Sequence, residues 1–73
     1  MTPLAFAALN KTFVIKDIKG RDKERNKLTE QGFCIGNKIC LLRDDQKNYI
    51  VKINETKYVL GFGLANKIYL EEC

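Results

Sequence analysis

Apolar and polar positions alternate from Thr12 to Lys19, with Phe13 and Ile15 on one face, until Ile18 falls one step out of phase. That slip predicts a β-strand with a bulge or bend near Lys16-Asp17, and Gly20 ends it. Arg21 to Gln31 is rich in Lys, Glu and Arg and almost free of β-branched residues, which favours a helix. Leu28 is its one strong apolar anchor, so this helix is expected on the surface of a sheet. From Lys38 to Arg43, Ile39 and Leu41 alternate with Cys40 and Leu42, the pattern of a strand partly covered on both faces. Asp44-Asp45-Gln46-Lys47-Asn48 reads as a polar hairpin loop leading to the strand Tyr49-Ile50-Val51-Lys52-Ile53. Asn54-Glu55-Thr56 supplies the next tight turn, and Lys57 to Leu60 returns as a strand. Gly61-Phe62-Gly63 then breaks it, Leu64-Ala65-Asn66 forms a helical turn, and Lys67 to Glu71 closes as the last strand. Five short strands with one helix at about residues 21–31 describe a mainly β fold, a small closed barrel. Closure removes sheet edges that so small a protein cannot otherwise protect.

The densest information lies at Leu28-Thr29-Glu30-Gln31-Gly32-Phe33-Cys34-Ile35-Gly36: a helix end, a glycine, one large apolar residue, and a second glycine before a strand. Glycines so placed allow positive φ, so Gly32 and Gly36 can turn the chain sharply from helix to sheet with Phe33 held between them.

A basic helix followed by L-x-x-x-G-F-x-x-G and a strand resembles the FeoA family, small cytoplasmic accessory proteins of bacterial ferrous iron transport. The likeness covers nearly the whole chain. Pro3 to Lys11 looks like the family's apolar opening turn and Val14 to Gly20 like its first long strand; Val59-Leu60 and Leu64 to Leu70 look like its last strands, with an A-x-x-I element at Ala65 and Ile68. Its specificity comes from order and spacing together. Asn10 departs from the pattern, standing where the family usually has a turn glycine; Asn is the next most tolerant of left-handed geometry. The resemblance implies an SH3-like barrel, a single domain over residues 1–73, and contact with the FeoB transporter, whose cytoplasmic portion is a G-protein domain.

At 73 residues the chain is one small domain with a thin core and little room for a deep catalytic cleft. A net charge of +4 permits an acidic protein partner without demanding nucleic acid. Three cysteines at irregular spacing make no disulfide framework, which suits a reducing cytoplasm. Ala5-Phe6-Ala7 superficially resembles a signal-peptidase site, but no basic region or sufficient apolar segment precedes it. No apolar run approaches the roughly 18 residues of a membrane span, so any service to a membrane system is expected from the water side, without insertion.

Histidine is absent, and with it the commonest general base and metal ligand. Cys34, Cys40 and Cys73 include no C-x-x-C pair, and structural zinc takes four ligands, so no metal site is assigned. The family's association with transition metals finds no ligand set here. Cys40 is most simply a small buried residue, Cys34 packs in the turn, and Cys73 sits on a frayed terminus. Asp44-Asp45 and Glu71-Glu72 read as a solvated turn and a soluble terminus. There is no G-x-x-x-x-G-K-[ST] sequence, and Gly61-Phe62-Gly63 is only a fragment of a dinucleotide fingerprint. Neither enzymatic activity nor a cofactor is expected.

Lys11 to Lys27 holds seven Lys or Arg against three Asp or Glu, so the excess charge of the whole chain sits there. Arg21 with Arg25 and Lys23 with Lys27 repel at i,i+4, a cost without structural benefit. Two readings follow: a solvated helix face, or a partner-binding face in which Arg21, Arg25 and Lys27 meet acidic groups beside Leu28 and Phe33 as apolar anchors. For Leu28 and Phe33, packing of helix on barrel is the competing role. Phe62 and Leu64, with Leu4 and Phe6, form either a peptide pocket or, as favoured here, the plug of the barrel.

Three functions are compatible with these features. The first, implied by the resemblance, is a non-enzymatic accessory protein that binds FeoB and biases its assembly or the state of its GTPase. The second is a regulatory barrel of the kind found in metal-responsive repressors, although a chain opening at Met1 without a helix-turn-helix suits a free-standing protein better. The third is a nucleic-acid-binding barrel with strong salt dependence; the few aromatics in the basic segment provide no stacking platform, so nucleic acid is not the expected partner. Weak self-association through an exposed strand stays open.

Overall fold

The computed structural model describes residues 1–72 and places six strands in one antiparallel sheet. They are β1 (Thr2–Pro3), β2 (Thr12–Ile18), β3 (Lys38–Asp44), β4 (Asn48–Ile53), β5 (Thr56–Gly61) and β6 (Ile68–Glu72), in the order β1-β6-β2-β3-β4-β5. Helix α1 (Asp22–Glu30) joins β2 to β3, and a one-turn helix α2 (Phe62–Ala65) joins β5 to β6. A 3-10 turn, Leu4–Phe6, follows β1.

The expected bulge is real. In the β2–β6 ladder the register shifts between Ile15 and Asp17, which returns Ile18 to the side of Phe13 and Ile15, so all three are buried. A second shift, between Leu41 and Arg43 of β3, had no signature in the alternation. Asn10 adopts φ 58, the left-handed turn expected of it, and donates its backbone N–H to the Leu41 carbonyl at 2.7 Å. Asn54 and Glu55 have φ 50 and 70, giving the primed two-residue turn that matches the twist of β4 and β5.

Two expectations are corrected. The opening segment is more than an apolar turn: Thr2 and Pro3 pair with Leu70 and Tyr69 as a sixth strand, tolerable for proline because β1 is an edge. The sheet also does not close by hydrogen bonds. No ladder joins β1 to β5 among the described residues; α2 fills that side, packing on β4, β5 and the 3-10 turn. Of the four residues expected to plug the interior, Leu4 is buried there beside Ala65 and Leu64 packs half-buried against the core, but Phe6 and Phe62 stay 70% and 46% exposed.

Leu28, Phe33, Ile39, Leu41, Val51, Ile68 and Leu70 meet in a single apolar core, and no charged or polar residue is buried among the described residues. The helix reaches this core through its end. Gly32, at φ 104, donates its N–H to the Thr29 carbonyl, and Phe33 donates to the Leu28 carbonyl at 3.0 Å. This pair of bonds, with Leu28 and Phe33 in the apolar positions that accompany it, is a Schellman stop. Cys34 to Asn37 then forms a second turn, Asn37 donating to the Cys34 carbonyl at 3.0 Å with Gly36 at φ 96 in the third position, as a type II turn demands.

Nothing lies within 4 Å of where a Cβ on Gly36 would stand, so a side chain there meets backbone strain alone. Gly36→Val is expected to destabilise the fold by about 1–3 kcal/mol. Thermal or urea unfolding checks it, and an unchanged midpoint would refute the turn argument.

Candidate functional site

The two glycine turns determine what the α1 end of the molecule presents. Ile35 occupies the second position of the type II turn, at its apex, and is therefore 61% exposed, although buried Phe33 lies only two residues before it. Opposite it stands one flank of α1. Between them runs a cleft of about 250 Å³ lined by Ile18, Asp22, Arg25, Asn26, Thr29, Cys34 and Ile35.

The predicted partner-binding residues divide over this geometry. Arg25 lines the cleft. Arg21 sits just before α1 as its N-cap, exposed and in extended conformation, so the helix is one residue shorter at each end than expected. Lys27 is exposed but, with about 100° between successive helical residues, lies on the opposite flank from Arg25, with Leu28 between them. Its place in the last turn, with Asp22 and Glu24 in the first, has a structural reason: each charge complements the helix dipole. Leu28 and Phe33 are 2% and 0% exposed, so they pack the core and cannot serve as surface anchors. Sequence reasoning missed Ile35, whose apolar character suggests a core residue; the signal was its place one before Gly36 in a turn.

Much of the basic segment is locally balanced. Lys11 pairs with Glu72 at 2.6 Å, Lys16 with Glu71 at 3.8 Å, and Lys19 with Asp17 at 2.8 Å. Glu71 and Glu72 are thus paired across strands. Asp44 and Asp45 accept the backbone N–H groups of Gln46, Lys47 and Asn48, so they build the hairpin loop. Arg25 reaches Asp22 only at 3.7 Å, and both are exposed, a contact of little energetic weight. Arg21, Lys23 and Lys27 have no acidic partner among the described residues.

Helix α1 is tethered at its other side. Lys67 Nζ donates to both carboxylate oxygens of Glu24, at 3.0 and 2.9 Å, tying the first turn of α1 to the residue before β6. That hydrogen bond is the main reason the Glu24 carboxyl is held below its ordinary value. The Lys19 hydrogen bond likewise lowers Asp17, at the end of β2 beside the cleft.

Cys34 points its thiol at the Thr29 carbonyl, 3.6 Å away, whereas Cys40 lines a different cleft on the outer face of β3. Among the described residues no three His, Cys, Asp or Glu side chains gather to hold a metal; Cys73 lies outside those residues. Among the described residues no helix is long and apolar enough to cross a membrane.

Comparison with known proteins gives a consistent result. The FeoA domain profile matches residues 2–72. A Methanocaldococcus jannaschii protein, provisionally named Fe(2+) transport protein A, is 31% identical over 72 residues, which are 99% of this chain and 88% of that one. The zinc complex of Stenotrophomonas maltophilia FeoA, described as a prokaryotic SH3 domain protein, superposes with a TM-score of 0.84 at 17% identity, covering 97% of this chain and 91% of that one. The SH3-like fold expected of the chain is therefore the fold it has. A manganese-dependent transcriptional repressor shares it too, with a TM-score of 0.86 at 16% identity over 97% of this chain and 41% of the repressor. At that identity the likeness is one of fold alone.

A carboxylate depressed in the folded state adds stability above its unfolded pKa and loses it as pH falls through the folded value. Acidification below the ordinary glutamate value of 4.5 is therefore expected to loosen α1 from β6. The melting temperature of Glu24→Gln should fall less than that of the wild type between about pH 6 and 3. Parallel curves would show that the Glu24–Lys67 tether contributes nothing.

Proposed function

The chain belongs to the FeoA family, and from that premise we propose that it is a non-enzymatic accessory protein of ferrous iron uptake, acting in the cytoplasm on the membrane transporter FeoB. The observation that carries this reading is the family likeness, which runs from residue 2 to residue 72 and includes a relative named for Fe(2+) transport. The fold is consistent with such a role, being a compact core whose surface offers a cleft with a cation and an exposed apolar side chain. Its action is one of differential binding. A partner with two conformations is biased by whichever one this surface fits better, and no bond is made or broken.

The surface assigned to this contact is the cleft beside α1. Arg25, with Arg21 at the helix start, supplies cations for an acidic patch, and Ile35 supplies the exposed apolar anchor that Leu28 and Phe33 cannot. Lys27 faces elsewhere and takes no part.

The test is titration of this protein into the purified cytoplasmic domain of its cognate FeoB, nucleotide-free and with GDP or a GTP analogue, with and without ferrous iron. Saturable binding that differs between nucleotide states is expected. The pair Arg21→Glu and Arg25→Glu should weaken it about tenfold, Ile35→Ser should also weaken it, and Lys27→Glu should leave it unchanged. No binding in any state would overturn contact with that domain; equal losses at Lys27 and Arg25 would overturn the cleft.

A further inference from the structure

Before the end against which α2 packs, the edge of the sheet at β5 is open in a way that β1 is not. β1 has two residues and contains a proline, whereas β5 is six residues of extended backbone. Pairing with β4 begins at Ile53 and Thr56, which close the two-residue hairpin as a hydrogen-bonded pair. Bonded and non-bonded pairs then alternate, so Val51–Tyr58 and Tyr49–Leu60 are bonded while Lys52–Lys57, Ile50–Val59 and Asn48–Gly61 are not. The N–H and C=O groups of Lys57 and Val59, and the N–H of Gly61, consequently point away from β4, along the free edge, while the Gly61 carbonyl serves the first turn of α2 as its N-cap.

The side chains over that edge have a definite chemistry. Tyr58 and Leu60 turn inward, Tyr58 packing its ring 5.3 Å from that of Phe33. Val59 turns outward and is 66% exposed beside half-buried Ile50. Lys52 and Lys57 stand directly opposite each other, both exposed, a like-charge pair that costs stability. Neither makes an ion pair among the described residues, and Lys38, Arg43 and the single acid Glu55 share or border that outer face. Beyond Gly61 the edge ends in the exposed ring of Phe62.

The geometry points to a strand-addition site: the free edge of β5 receives an extended segment of a partner protein that sets an acidic residue opposite Lys57 and an apolar residue opposite Val59. Main-chain bonds to Lys57, Val59 and Gly61 hold the segment, and the two side-chain positions select it. The acidic residue removes the Lys52–Lys57 repulsion. A second copy of this chain fits less well: antiparallel self-pairing about Val59 sets Lys57 beside Gly61 of the other copy and brings further lysines to the face without an acid. Lysine on an edge strand thus blocks self-pairing while admitting an acidic strand. This site is separate from the α1 cleft and does not depend on its assignment.

The experiment is a titration of the full chain with acetyl-Glu-Thr-Val-Thr-Glu-Thr-amide, followed by amide NMR shifts and hydrogen exchange, with the peptide bearing Lys in place of Glu as control. Saturable shifts and slowed exchange at Lys57, Val59 and Gly61 are expected with the acidic peptide. Lys57→Glu should weaken binding about fivefold. Val59→Pro should abolish it while keeping the wild-type fold, because the lost N–H bonds nothing within the sheet. Should Val59→Pro fail to fold, the Lys52→Glu/Lys57→Glu double variant decides, and its preference must switch to the lysine peptide. The proposal is overturned by equal binding of both peptides, by binding that survives Val59→Pro, by shifts confined to other residues, or by no saturable shift. Self-association of the free protein that Val59→Pro removes would assign the edge to a second copy and overturn it equally.

Discussion

Burial of Phe33 directly behind the Gly32 helix stop is the constraint on which the rest of this structure depends. A nine-residue helix with one buried side chain cannot hold itself against water or against the sheet. The stop converts Leu28 and Phe33 into one apolar unit, and that unit enters a core shared by β2, β3, β4 and β6. Asn37 then locks the passage, its side-chain amide donating to the Gly32 carbonyl at 2.8 Å. Ile15 and the turn also exchange backbone bonds, with Gly36 donating to Ile15 and Ile15 donating to the Asn37 carbonyl.

Surface chemistry follows from how that unit is seated. With Leu28 inward, Glu24 is carried to Lys67, Arg25 to the cleft and Lys27 to the far flank, so one helix presents a tether, a cleft-lining cation and a dipole-complementing charge on three sides. The tight Gly36 turn pushes Ile35 into solvent opposite Arg25. Cations that look like one basic stretch in sequence are thereby separated, three of them neutralised by acids from β2 and β6. The unpaired positive charge is distributed between α1 and the outer face of β4 and β5, where Lys52 and Lys57 confront each other.

Local signals were legible in the sequence. The one-step slip at Ile18, the helix with a single anchor, the polar loops at Asp44-Asp45 and Asn54-Glu55, the left-handed turn at Asn10 and both glycine turns are each set by backbone sterics or by side-chain alternation within a few residues. Non-local pairings were not legible. Thr2-Pro3 carries no strand pattern and becomes one because Leu70 and Tyr69 offer their backbone groups to it. The shift at Leu42 has no alternation signature. Of the residues expected at a partner-binding face, Arg25 lines the cleft beside α1, Leu28 and Phe33 lie in the core, and Ile35, which the pattern did not single out, lines the cleft from the turn.

The sequence by itself determined the class of the fold, the positions at which the chain reverses, and its family, because all three rest on residue types in fixed order: glycine where φ must be positive, apolar residues at strand or helix spacing. Only the tertiary structure decided which apolar residues are covered, which charges are paired and where the sheet ends. Those properties depend on what lies across from a residue in space, and an exposed isoleucine or an unpaired lysine has the same sequence signature as a buried or paired one.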